Sequence, residues 1–234
     1  MDISFAISEW SGWESQTLNN LAKEKTLLST GRDPDVSSIP PILRRRLNLL
    51  GRACANEILQ HIKKNENIPV VYCSQHGDIE RTFSILSKAS KGEPTSPMNF
   101  SLSVHNAILG VLSIHLGLTS SISSISSEQS GLVPVMLEAV GMLRSGSEKV
   151  LCVLCDVTLP KIYLDGQNLP KDSYAISFIV TKSEGTSLKL IQTEDEANVK
   201  KNEDQPTALI NFLSSDKKEI HLNHNGLKWK LLRT

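Results

Sequence analysis

The sequence carries no surplus of charge: 25 Lys and Arg balance 25 Asp and Glu. Nothing here resembles the basic footprint of a nucleic-acid binder, and no nucleic-acid partner is expected. A neutral surface also repels a protein partner weakly. Long apolar runs are missing. The longest are interrupted by His115 or Asp156 and fall short of the ~20 residues that span a bilayer. The first thirteen residues lack a basic segment followed by an apolar core, so no secretory signal is read there and a cytoplasmic location is expected. Cysteine is sparse. Cys54, Cys73, Cys152 and Cys155 do not have the spacing of a secreted disulfide framework. Cys152 and Cys155 form a lone C-x-x-C, for which zinc or redox chemistry is one reading. No second pair follows, and a three-residue step along a strand sends two side chains to opposite faces, which makes both core residues. No metal and no cofactor are expected.

What is present suits a globular α/β chain. The 234 residues are 39% apolar and 21% charged, and a chain of this size buries roughly 70% of its unfolded surface. One domain over residues 1–234 is expected. Residues 3–7 read as an opening strand, followed by a loop with Trp10 and Trp13. Residues 26–41 are polar and carry Gly31, Pro34, Pro40 and Pro41, so they form a connection, with Pro41 suited to a first helical position. Residues 42–62 show helical spacing of Leu43, Leu47, Leu50, Ala53 and Ile58. Arg44, Arg45 and Arg46 then stand at the positive end of that helix, which is unfavourable unless solvent or a carboxylate compensates.

Alternation continues along the chain. Residues 68–74 form an apolar strand of the kind buried on both faces. Asp78 can cap a helix running to about Lys91. Residues 103–116 read as a helix, 120–127 as a strand rich in Ser and Ile, and 131–144 as a helix closed by Gly146. Residues 150–157 are the next buried strand. Residues 174–181 and 187–192 read as a hairpin over Glu184 and Gly185. Residues 193–206 are a charged loop and 206–213 a short helix. Strands 220–222 and 227–232 meet at Asn225 and Gly226 as edge strands. Strands separated by helices indicate a layered α/β sheet covered on both faces.

The segment 96–131 contains Ser96-Pro97, Asn106, Gly110, Ser113-Ile114 and Gly117-Leu118. This pattern resembles the β-ketoacyl synthase stretch that leads to the nucleophile elbow. Leu137, Glu138, Ala139, Arg144, Gly146 and the strand ending at Asp156 match the helix and strand behind that nucleophile. The phrase from Ser103 to Ala107 and the tail with Trp229 are similar to short ketosynthase-like proteins of aryl polyene gene clusters, which resemble chain length factors. The fold this implies is thiolase-like, a layered α-β-α arrangement truncated to about the N-terminal ketosynthase half, with added edge strands.

A ketosynthase joins carbon chains with a Cys thiolate at a helix N-terminus, where the thiol pKa is lowered and backbone N–H groups receive the oxyanion. Counting forward from Gly117 puts Gln129 at the cysteine position, and counting back from Gly131 puts Glu128 there. Neither side chain can form an acyl thioester. Ser126, Ser127 and Ser130 lack an assigned base and read as polar strand and cap. The two late histidine motifs of the family have no counterpart. His221 and His224 do not match their spacing and read as a surface turn. His105 reads as a hydrogen-bonded helix residue rather than a base.

The resemblance therefore implies a non-catalytic subunit of chain length factor type. Its partner would be an active β-ketoacyl synthase, in a heterodimer or heterotetramer, with acyl carrier protein docking through that partner. Strand 120–127 would meet the partner. His105, Asn106, Ile108, Leu109, Leu112, Ile122, Ile125 and Met136 are the interface or acyl-tunnel candidates, and plain core packing is the alternative for the apolar ones. A second reading is a malonyl-decarboxylating, priming subunit that uses Gln129 in place of the cysteine. A third is a self-contained small-molecule binder.

Overall fold

The computed structural model describes residues 1–15, 28–30, 33–127, 131–163, 173–194 and 205–234. Nine strands form one sheet: β1 (Asp2–Glu14), β2 (Leu28–Thr30), β3 (Val70–Ser74), β4 (Ile122–Ser126), β5 (Lys149–Asp156), β6 (Tyr174–Thr181), β7 (Thr186–Thr193), β8 (Glu219–His224) and β9 (Leu227–Arg233). The order is β4-β3-β5-β6-β1-β7-β9-β8, with β2 paired to the end of β1. Strands β4, β3 and β5 are mutually parallel, and β6 turns antiparallel against β5 and β1.

Helices cover both faces. Helices α2 (Leu49–His61) and α5 (Ala107–Leu116) pack on one side over Val70, Tyr72, Leu151, Val153 and Cys155. Helices α6 (Leu132–Arg144) and α7 (Gln205–Leu213) pack on the other, over Val71, Cys152, Leu154, Ile176 and Phe178. Successive strand residues point to opposite faces. Cys152 and Cys155 consequently fall in separate cores, as the strand spacing requires, and all four cysteines are free and buried.

The structure corrects several expectations. The opening strand does not stop at residue 7. It runs on through Trp10 and Trp13 to Glu14, because its two halves have different partners. Asp2 to Ile7 pair with β7 on one side, and Ala6 to Glu14 pair with β6 on the other, with a bulge between Ile7 and Glu9. Strands β6 and β7 are therefore not a hairpin. They run in the same direction on opposite sides of β1, and the connection between them passes over β1 at its bulge. Gly185 sits at that crossing with φ +103°, and a side chain there would collide with the Ile7 carbonyl and the Ser8 backbone.

Two expected helices are each broken. Residues 42–62 split into α1 (Pro41–Arg44) and α2, whose N-cap Asn48 accepts from the Gly51 N–H at 3.1 Å. The arginine run therefore follows the C-terminal end of α1, where cations are favourable. The carbonyl of Arg46, freed by the break, accepts from the Arg81 guanidinium at 3.0 Å. Residues 103–116 split likewise, since α4 (Pro97–Ser103) ends at an extended Val104 before α5 begins. Helix α3 (Ile79–Ser90) does start at Asp78, which accepts from the Arg81 N–H at 3.0 Å.

The turn between β8 and β9 has φ of 52° at Asn225 and 76° at Gly226, the conformation that Asn-Gly favours. Among the described residues, strand β8 is the outermost at this end of the sheet, whereas β9 lies inside it between β7 and β8. The expected loop over 193–206 lies mostly outside the described residues. Among those described, no helix is long and apolar enough to cross a membrane.

Replacing Gly185 with alanine is expected to destabilise the chain by about 2–4 kcal/mol, through steric overlap and an unfavourable φ. Urea denaturation of the two proteins measures this, and an unchanged midpoint would contradict the crossing.

Candidate functional site

The C-terminal ends of the parallel strands β4, β3 and β5 converge beside the start of α6. Open α/β sheets place ligands outside such strand ends. Here the floor is a buried carboxylate. Asp156, last in β5, accepts from Ser74 Oγ at 2.8 Å, Gln75 N–H at 2.9 Å and Tyr174 O–H at 3.1 Å. Burial outweighs these donors and raises its pKa to about 6. Ser74 Oγ also receives the Gly77 N–H at 2.9 Å, so the turn after β3 is tied to the end of β5. Ser126 closes the row by donating to the Gln75 carbonyl at 3.1 Å. Of this set, the sequence singled out Asp156, as the end of a matched strand, and Ser126, as a polar strand residue. The signal for Ser74 and Gln75 was a polar pair ending a fully apolar strand.

Helix α6 starts from Gly131, which has φ +67°. The Cys73 thiol lies directly beneath it, where a Cβ on Gly131 would overlap the sulfur. Burial pushes the pKa of this thiol up to about 12, and the carboxylate of Asp156 adds to the rise. Burial likewise raises the thiols of Cys54, Cys152 and Cys155. None of the chain's cysteines is a thiolate near neutral pH.

The sequence candidates separate into three groups. Glu128 and Gln129 lie outside the described residues, between β4 and α6. His105 and Asn106 are not within a helix but at the α4–α5 junction, with Asn106 exposed as the N-cap of α5. His105 Nε2 donates to the Ile125 carbonyl at 2.9 Å, and its ring lies 5.4 Å from that of Tyr72, tilted by 40°. It clamps the junction to β4, and Gly77 leaves the room its ring occupies. Ile108, Leu109 and Leu112 face inward in the α2–α5 core, and Met136 in the α6 core. Ile122 and Ile125 stand on β4. Ile125 packs against the α6 core, while Ile122 is 39% exposed. His221 pairs with Glu219 on β8, at 3.3 Å and far along the sheet from this site.

Among the described residues, strand β4 has a neighbour, β3, on one side only. It carries Ser and Ile without a charge. Six of the eleven exposed large apolar side chains among the described residues lie between residues 86 and 122: Leu86, Met98, Phe100, Val104, Ile114 and Ile122. Helices α3 and α4 bury no residue fully. They are held by a polar bracket instead, in which Asp78 accepts from Asn48 Nδ2 and Arg81 Nε, both at 2.7 Å, and Arg81 reaches Asn99 at 3.1 Å. An uncharged outer strand that itself exposes Ile122 differs from an edge guarded by charge.

The β-ketoacyl synthase N-terminal domain model matches residues 10–231. In structure, the chain is similar to a ketosynthase (ApeO) in complex with its chain length factor (ApeC) from Xenorhabdus doucetiae. The similarity has TM-score 0.79 and 22% identity, covering 99% of this chain and 100% of the matched one. The ishigamide ketosynthase/chain length factor follows at TM-score 0.53 and 14% identity, covering 70% of this chain and 54% of that one. Ketosynthase twelve of the bacillaene synthase of Bacillus amyloliquefaciens gives TM-score 0.54 and 16% identity, covering 83% and 46%. The chain thus spans about half the length of these last two. At such identities the likeness is one of fold, and the fold is thiolase-like α/β. No curated protein matches the chain.

The raised pKa of Asp156 makes the folded state hold a proton that the unfolded state releases. The associated stability is present below the unfolded value of 3.8 and is lost as pH rises through about 6. Asparagine reproduces the protonated carboxyl. Asp156→Asn should therefore gain on the native chain by on the order of 3 kcal/mol between about pH 4 and pH 7. Denaturation at a series of pH values tests this, and a constant difference would show that Asp156 is ionised without penalty.

Proposed function

This chain belongs to the β-ketoacyl synthase N-terminal domain family, and we propose that it is a non-catalytic, chain length factor-type subunit. It pairs with an active β-ketoacyl synthase and helps shape that partner's acyl tunnel, in aryl polyene or related type II polyketide or fatty-acid-like biosynthesis. The observation that carries this reading is the uncharged outer edge of β4, with Ile122 exposed on it. A surface of that kind is covered in a stable assembly.

Chemistry supports the same reading. Condensation requires a thiolate, and all four thiols are buried with raised pKa values. Glu or Gln stands where the family carries its cysteine. The similar full-length chain from the ketosynthase–chain length factor complex supports a role in such a pair. Acyl carrier protein would dock on the active partner. Met136, at the heart of the α6 core, and Ile108, Leu109 and Leu112 would set tunnel depth by shaping the wall from behind. His105 and Asn106 would form part of the contact around β4.

Co-expression with the cognate β-ketoacyl synthase, with a purification tag on this chain alone, tests the proposal. A stoichiometric complex is expected. Condensation should survive Glu128→Ala and Gln129→Ala and vanish when the partner's cysteine is replaced. Ile122→Lys should lower recovery of the partner at least about tenfold, since a charge would be buried at the interface. A folded chain that does not associate with the ketosynthase when the two are present together would defeat the reading. Malonyl decarboxylation by this chain alone, lost in Gln129→Ala, would favour the priming subunit instead.

A further inference from the structure

Helices α3 and α4 are well specified as helices and weakly held in place. Asp78 caps α3, and Ser96 caps α4, where Pro97 takes the first helical position. Ile79, Phe83 and Leu86 recur at helical spacing along one face of α3. Neither helix has a fully buried residue. Leu86 is 57% exposed, and Phe100 on α4 is 63% exposed. The Phe83 ring meets Tyr163 edge-on at 5.9 Å, but Tyr163 is exposed in its turn. Helices of 12 and seven residues do not persist in water by themselves. Burial of an apolar face is the usual remedy, and here it is slight.

The main tie is one guanidinium. Arg81 Nε donates to the Asp78 carboxylate at 2.7 Å, one terminal nitrogen donates to Asn99 Oδ1 on α4 at 3.1 Å, and the other donates to the Arg46 carbonyl at 3.0 Å. Asp78 in turn accepts from Asn48 Nδ2 at 2.7 Å. Asn48 caps α2, whose residues Leu50, Ala53, Cys54 and Ile58 are fully packed in the core. Arg81 thus joins α3 to α4 and both to the rigid body at the α1–α2 break. The Arg81 and Asp78 side chains are mostly buried, so these charge-assisted bonds are shielded from water.

The segment also leaves and returns at one place. Gly77, with φ +59°, precedes α3, and the extended Val104 follows α4. Gly77 lies against the His105 ring, so the two ends of the segment touch. Residues 78–104 can therefore swing without displacing the strands they connect.

We propose that residues 78–104 form an arm that opens as one unit about Gly77 and Val104, and that Arg81 is its latch. Opening breaks the bonds to Arg46 and Asn48 and leaves the sheet intact. What closes the arm rests on the ketosynthase-partner reading. His105 fixes the return point to β4 through the Ile125 carbonyl, and β4 is the edge assigned to that partner. The bound ketosynthase therefore covers α3 and α4 and holds the arm shut.

Hydrogen exchange of the full chain, resolved by peptide mass spectrometry, tests the latch. Amides of α3 and α4 should exchange at least about a hundredfold faster than those of α2 and β5, which open only with wider unfolding. Arg81→Gln should speed α3 and α4 by about tenfold more, with α2 and β5 unchanged. Asn99→Ala, at a partly exposed side chain of α4, should speed α3 as well, because the arm opens as one. Exchange of α3 and α4 as slow as that of α2 would overturn the proposal. So would indifference to Arg81→Gln, or a response to Asn99→Ala confined to α4. With the cognate ketosynthase bound, exchange of both helices should slow by about tenfold or more. Association without that protection would overturn the ketosynthase as the closing partner and leave the partner reading intact. Failure to associate would defeat the partner reading together with that closing role, and the rates of the free chain alone decide the latch.

Discussion

The whole architecture depends on β1 changing partners halfway along its length. Its second half joins the parallel unit through β6, and its first half carries the extension of β7, β9 and β8. One continuous strand therefore transmits the twist of the parallel unit into the antiparallel unit. Without the bulge after Ile7, the connection from β6 to β7 would have to cross a flat strand with no space to pass. The bulge and Gly185 make one feature from two distant parts of the chain. The register shifts where the connection crosses, and the missing side chain of Gly185 permits the close approach.

Much of this was legible in the sequence wherever the signal is local. The apolar runs of β3 and β5 identify strands buried on both faces, Asp78 marks a helix start, and Asn225-Gly226 marks a turn. The errors arise where distant residues decide. Glu9 to Gly12 look like a loop until Glu57 is seen to hold the Ser11 hydroxyl inside the fold. Helical spacing runs straight through residues 45–48 because periodicity is blind to a side chain that caps from within. Asn48 and Asp78 settle that break together, thirty residues apart. The supposed hairpin failed for a related reason, since a turn signal says nothing about a third strand lying between the two arms.

At the candidate site the balance was similar. The strand and helix that flank the expected nucleophile position lie where the sequence indicates, and His105 is hydrogen-bonded as read, though at a junction rather than in a helix. The polar floor around Asp156 required the folded chain, because its members come from β3, β5 and β6. Cysteine chemistry is decided by environment rather than position. Cys73 lies under the start of α6, a place that would activate an exposed thiol, and burial holds it protonated.

The two ends of the sheet differ in kind. At one end β8 alternates Glu219, His221 and Asn223 along its outer strand, and such polar, ionisable positions discourage strand-to-strand adhesion. At the other, β4 offers Ser and Ile alone. A sheet that is sticky at both ends can grow without limit, copy upon copy, into a fibre. A sheet with one guarded end is limited to a valence of one, and growth from its other end would stop at a closed pair.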